Sequence, residues 1–159
     1  MDAIDILIQQ HRDVEALIER CLEAEAKEKS DLVAQIADQL AVHTAIEERH
    51  FYPAAKTDET EELVQESVVE HLGVKRLLAD LLDETDGDKI DAQLEVLKER
   101  LEHHISEEEK NLFPMAKRMF DDDQLEALGQ EMTATMADLF DEGEPRRNIP
   151  EETEEAPAI

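Results

Sequence analysis

The stretch "HTAIEERHFYP", His43–Pro53, decides how this chain folds. It closes a run in which Val33, Ile36, Leu40, His43, Glu47 and Phe51 recur at steps of three and four, the signature of one helix face. Residues four apart on a helix differ by about 40° around it and about 6 Å along it. His43 and Glu47 therefore project into one small volume on a face that is otherwise apolar. The same phrase returns later in the chain. "HISEEEKNLFPMAK" (104–117) matches "HTAIEERHFYPAAK" (43–56) at an offset of 61, and "HLGVKRLL" (71–78) matches "HRDVEALI" (11–18) at an offset of 60. Two similar helical hairpins predict an all-α fold, an up-down-up-down four-helix bundle.

The remaining punctuation places the helices. The first is expected from Asp2 to about Lys27, with Ile4, Ile8, His11, Val14 and Ile18 on one stripe. Ser30 is the expected cap of the second, which ends near Pro53–Lys56. The third starts near Thr57 or Asp58 and runs to about Asp83. "DETDGD" (83–88) marks a turn, and the fourth helix runs from there to about Met119. Asp121–Asp123 cap a fifth, to about Phe140, with Leu125, Leu128, Met132, Met136 and Leu139 on one side. It either caps the bundle or drives weak pairing, so a monomer or weak homodimer is expected. From Glu142 onward three prolines and few apolar residues predict a disordered acidic tail, 142–159, after a folded domain of 1–141.

Composition narrows the function classes. Sixteen basic against 43 acidic residues leave a net charge of −27. Such a surface repels phosphate backbones and anionic membranes, which argues against nucleic acid and membrane as partners. No apolar run approaches the ~20 residues of a membrane span, and no basic segment leads into one at the start, so a cytoplasmic location is expected. The lone Cys21 continues the Val14, Ile18 stripe and is expected to be a small buried apolar residue.

The ionisable residues on the apolar stripes carry the chemistry. The fourth helix repeats the second, with Ile90, Leu94, Leu97, Leu101, His104, Glu108, Leu112 and Met115 on one face. An unpaired carboxylate in such a core costs several kcal/mol or loses its charge. No lysine or arginine stands beside either pair on these two stripes. His11 and His71, each on its own helix stripe, bring the inward set to four histidines and two glutamates. A single histidine on an apolar face is more often a hydrogen-bonded core residue, but six such groups at repeated spacing point to metal. Imidazole with carboxylate suits iron, manganese or zinc, and six ligands with near-twofold symmetry fit two metals better than one. Ferritin-like sites need Glu-x-x-His on two helices, whereas here Glu47 and His50 have Asn111 opposite in the repeat. The zinc-protease pattern His-Glu-x-x-His is absent.

On these motifs residues 2–120 resemble the hemerythrin-like proteins, the group named for its His-His-Glu cation-binding motif. The resemblance implies a four-helix bundle around two irons joined by an oxo or hydroxo bridge. Carried across by motif, the ligands are His11, His43, Glu47, His71, His104 and Glu108. The chain departs from the oxygen carriers of that family at two places. Ser67 stands where they have a fifth histidine, and Glu108 stands four residues after histidine where they have an aspartate at five. Tyr52, whose repeat partner is Phe113, is the candidate additional ligand, with packing at the helix end as the other reading. Glu70 and His103 lie about 100° off their stripes and are expected in outer positions. His50 is expected to pack at the bundle end, Lys75 to line the pocket or reach solvent, and Glu48 and Arg49 to face water. The implied function is binding of, or reaction with, O2, hydrogen peroxide or NO, in oxygen or redox sensing or peroxide handling. The alternatives are a catalase-like or peroxidase-like enzyme, and an iron-buffering or partner-binding module.

Overall fold

The computed structural model describes residues 1–159, and every element in it is helical. The order is α1 (Ala3–Glu23), α2 (Ala26–Ile46), α3 (Tyr52–Ala55), α4 (Glu61–Asp83), α5 (Gly87–Glu107), α6 (Phe113–Met119) and α7 (Asp122–Asp141). Single π-helical turns, Glu47–Phe51 and Glu108–Leu112, carry α2 into α3 and α5 into α6 without a break. None of the helices is long and apolar enough to cross a membrane.

Local chemistry sets most of the ends. The Asp2 side chain accepts from the Asp5 amide to start α1, and Asp86 accepts from the Asp88 amide to start α5. Asp121 and Gln124 form a reciprocal capping box at the head of α7. Two boundaries differ from the sequence reading. The chain turns at Ala24 and Glu25, so α2 begins before Ser30. The cause is Lys29, whose buried ammonium caps the C-terminal carbonyls of Cys21 at 2.8 Å and Leu22 at 3.3 Å and pairs with Asp91 at 2.8 Å. The start of α4 is delayed to Glu61 because Thr57 and Thr60 first close a turn on each other, with the Thr60 hydroxyl donating to the Ala55 carbonyl at 2.6 Å.

Helices α1, α2, α4 and α5 pack around two apolar clusters. One is built from Val14, Ile18, Ile36, Leu40, Leu78 and Leu97, the other from Ile4, Leu7, Ile46, Phe51, Val68 and Phe113. The ionisable stripe residues fall between the two, since His11 follows Leu7 and precedes Val14, and His43 follows Leu40 and precedes Ile46. Cys21 is buried, as its stripe predicts. Helix α7 packs on α1 and α2. A Cβ on Gly129 of α7 would stand 2.7 Å from the Met1 carbonyl oxygen and 3.0 Å from the Ala3 nitrogen. Gly129→Ala gains up to about 1 kcal/mol of helix propensity but overpacks rigid backbone, which costs about 1–3 kcal/mol. We expect a net fall in thermal midpoint of a few °C, and an equal or higher midpoint would contradict this contact.

The tail is a correction to the sequence reading. Instead of running disordered, Pro145–Glu152 forms a 3-10 turn lying on α2 and α4. Ile149 is fully buried in the first cluster. Arg146 pairs with Asp38 through its backbone amide at 2.9 Å and its guanidinium at 2.8 Å, and Arg76 donates to the Thr153 and Glu154 carbonyls. A segment with few apolar residues is held by one well-placed isoleucine and by cations that it finds on the body. Composition averages hide both.

Candidate metal centre

The six stripe residues come together in the middle of the molecule. Ligand-capable atoms of His11, His43, Glu47 and Glu108 lie within 4.8 Å of one another, as do those of Glu47, His71 and His104. All six side chains are buried, Glu47 completely. Glu47 belongs to both groups. His11 Nε2 and His104 Nε2 lie 3.2 and 3.1 Å from Glu108 Oε1, and His71 Nε2 lies 3.6 Å from Glu47 Oε1. His43 Nε2 is in close contact with the same Glu47 oxygen.

The outer ring nitrogens explain why the Nε2 atoms converge. His11 Nδ1 donates to Glu109 at 2.8 Å, His71 Nδ1 to Glu48 at 2.7 Å, and His43 Nδ1 to Gln10 Oε1 at 2.7 Å. His104 Nδ1 faces Glu70 Oε2 at 3.6 Å. In the neutral rings this arrangement puts the proton on Nδ1 and leaves the Nε2 lone pair pointing inward. The partners obey the internal repeat. Glu48 and Glu109 follow the two inner glutamates, while Gln10 and Glu70 precede the histidines of α1 and α4.

Glu48 therefore does not face water, the orientation expected from its place beside the stripe. Nor does Tyr52 merely pack at a helix end. Both corrections have one cause, the π-helical turn. The Tyr52 amide donates to the Glu47 carbonyl five residues back, and Phe113 does the same with Glu108. The inserted residue rotates the helix beyond it, so Phe51 and Tyr52 are both fully buried although they are adjacent. The Tyr52 hydroxyl donates to Glu108 Oε2 at 2.8 Å and lies 3.1 Å from His71 Nε2. Its repeat partner Phe113 stacks on His11 instead, with ring centroids 5.8 Å apart. A pattern with a fixed 100° step cannot anticipate a π turn. The signal available in the sequence was the pair of aromatic-Pro steps at matching places in the two halves.

The other named residues fall outside the inner set. His50 bonds the Thr135 hydroxyl of α7 at 2.7 Å, a packing contact at the bundle end. His103 lines a surface groove between α4 and α5. Ser67 donates to the Leu63 carbonyl within its own helix. Lys75 is buried and bonds both Glu48 oxygens, at 2.8 and 3.0 Å, so it neither lines the inner site nor reaches free solvent. Gln10 is a site residue that the helix stripes did not reveal.

The donor set fits a cation. Both Glu47 oxygens, His43 Nε2 and His104 Nδ1 are buried without a hydrogen-bond partner. His71 Nε2 and His104 Nε2 face each other at 3.2 Å, an arrangement that needs a proton or a cation between two lone pairs. The electrostatics record the strain of packing these groups together. Burial disfavours charge on Glu47, yet the adjacent His43, with His71 also beside it, holds its carboxyl well below the usual carboxylate range. Burial likewise opposes charge on His104, but Glu108, with Glu70 and Glu47, holds it well above the histidine range. His11 and His71 are raised in the same way against burial, the first by Glu108 and the second by Glu47 and Glu48. Burial wins only at His43, which is lowered and whose outer partner is the neutral Gln10. Burial and then Glu108 push the Tyr52 phenol well up.

An all-helical fold enclosing a buried cluster of histidines and glutamates defines a cation-binding helical domain. The hemerythrin HHE cation-binding domain model matches residues 2–116, and the chain belongs to that family. Among solved structures it is similar to a hemerythrin HHE cation-binding domain-containing protein from Mycobacterium kansasii, with a TM-score of 0.79 over 96% of this chain and 99% of that one. The identity is 24%, so that likeness speaks to the fold. No curated protein matches the chain.

Proposed function

We propose that the chain is a non-haem di-iron protein that binds or reacts with a small ligand inside an up-down four-helix bundle. The observation that carries this reading is the convergence of four Nε2 atoms on two carboxylates, with Glu47 shared by both groups and its oxygens unpartnered. His11 and His43 would hold one iron and His71 and His104 the other, with Glu47 and Glu108, each beside a histidine of both pairs, shared between them and Tyr52 in reach of the second. Bound iron supplies a redox-active centre and a coordination position for dioxygen, hydrogen peroxide or nitric oxide. The protein's own part is to fix tautomers and exclude bulk water. Glu48, Glu109 and Gln10 set the Nε2 lone pairs, and the two apolar clusters seal the site above and below.

Tyr52 tests the assignment with little structural disturbance. A phenol held up by burial and by Glu108 stays protonated without metal, whereas a ferric ion favours the phenolate. Tyr52→Phe is expected to keep its iron content and to lose a visible phenolate-to-iron absorption band present in the parent protein. An unchanged visible spectrum would remove Tyr52 from the ligand set. Tyr52 also favours a second reading, peroxide breakdown. Its hydroxyl places an exchangeable proton between Glu108 and His71, where a reacting ligand would need one. Oxygen evolution from peroxide, well above that of free iron and diminished in Tyr52→Phe, is the expected result for that reading.

A further inference from the structure

The internal repeat makes the two halves of the centre directly comparable, and they differ in charge. Around His11 and His43 the outer groups are Glu109, paired with Arg12, and the neutral Gln10. Around His71 and His104 they are Glu48, paired with Lys75, and the anionic Glu70. The outermost groups match as well, Glu15 on Arg12 at 2.8 Å and Glu152 of the tail on Lys75 at 3.6 Å. The two halves therefore carry equivalent carboxylate–cation pairs. Among the ring partners the difference that remains is Glu70 opposite Gln10, one more carboxylate on the His71/His104 side, with Arg100 lining the same groove as Glu70 but not paired with it. The second break in the repeat points the same way. Tyr52 offers an ionisable oxygen beside His71, where Phe113 offers only a ring face beside His11.

We propose that these two breaks in the repeat make the metal positions inequivalent, with the His71/His104 position holding the cation of higher charge and Glu70 acting as the positioning residue that sets the preference. This rests on the dinuclear reading above. His104 Nδ1 is buried without a hydrogen-bond partner and Glu70 Oε2 stands 3.6 Å away. With Nε2 turned inward and Glu70 behind Nδ1, the carboxylate's charge would act through the ring on a cation held at Nε2. One net charge about 7 Å away, across the ring, from a trivalent rather than a divalent ion biases the two positions by roughly tenfold or more at an effective dielectric near 20.

The test uses redox-inert ions. The full chain is loaded with one equivalent each of gallium(III) and zinc(II), crystallised, and measured by anomalous diffraction at both absorption edges. Gallium is expected predominantly at the His71/His104 position and zinc at the His11/His43 position. Glu70→Gln is expected to reduce that preference, and the double exchange Gln10→Glu with Glu70→Gln to reduce it further or reverse it. A purely structural role for Glu70 would leave the distribution untouched. Gallium divided equally, or found at His11/His43, overturns the proposal, and an unchanged ratio in Glu70→Gln overturns the role given to Glu70. Failure of the parent chain to hold two ions at these residues instead overturns the dinuclear reading, and this inference with it.

Discussion

His104→Ala is expected to empty the centre and destabilise the fold together. His104 Nε2 stands 3.1 Å from Glu108 and 3.2 Å from His71 Nε2, so its ring separates a buried carboxylate from another imidazole. Removing one partner of a buried charged pair leaves the other uncompensated, at a cost of about 3–5 kcal/mol. The cavity left by the buried ring adds to that. The thermal midpoint should fall by about 10 °C or more for a chain of this size. Metal analysis and thermal unfolding of the same preparation check both effects. His103→Ala is the control, because its ring lines a surface groove and touches none of the inner groups. Unchanged metal content and midpoint in His104→Ala would contradict the account.

The second large effect is metal removal, and its size should depend on pH with a definite sign. Without metal, His11, His71 and His104 are held above the ordinary histidine value of 6.5. The stability they contribute is fully present below about pH 6.5 and is lost as pH rises through their folded-state values. Glu47, held well below its ordinary 4.5, contributes stability that is present above about pH 4.5 and lost as pH falls. His43 is lowered, so acidification below about pH 6.5 works against it and partly offsets the gain from its neighbours. The metal-free protein should therefore be most stable between about pH 4.5 and 6.5 and weaken toward pH 8. The loaded protein should run the other way, because a cation competes with protons for Nε2 and binds more tightly as pH rises. A ligand at 100 to 1,000 times its dissociation constant stabilises by about 2.7–4.1 kcal/mol. Chelation should thus lower the midpoint modestly at pH 6 and by many degrees at pH 8. Equal losses at the two pH values would contradict the assignment of the cluster as a shared proton and metal site.

Much of this was legible in the sequence, for a specific reason. A bundle's inward face is a simple 3.6-residue rhythm, and six ionisable residues interrupted that rhythm at repeated places. Burial of His11, His43, Glu47, His71, His104 and Glu108 followed from that alone. The rhythm was silent where the backbone leaves it. The π turns at Glu47 and Glu108 swing Glu48 and Glu109 onto the outer ring nitrogens and bring the Tyr52 hydroxyl onto Glu108. Gln10 escaped notice because amides carry no charge pattern, yet it fixes His43. The tail misled for a different reason. Its order depends on Ile149, Arg146 and the cations of Arg76 and Lys56, each reaching a partner distant in sequence.

Metal analysis of the protein as isolated, with its optical spectrum, tests the central claim most directly. The expected result is about two irons per chain, near-ultraviolet bands of a bridged ferric pair, and a visible phenolate band that Tyr52→Phe removes. A preparation that takes up no more than one metal per chain, after iron is supplied, would contradict it.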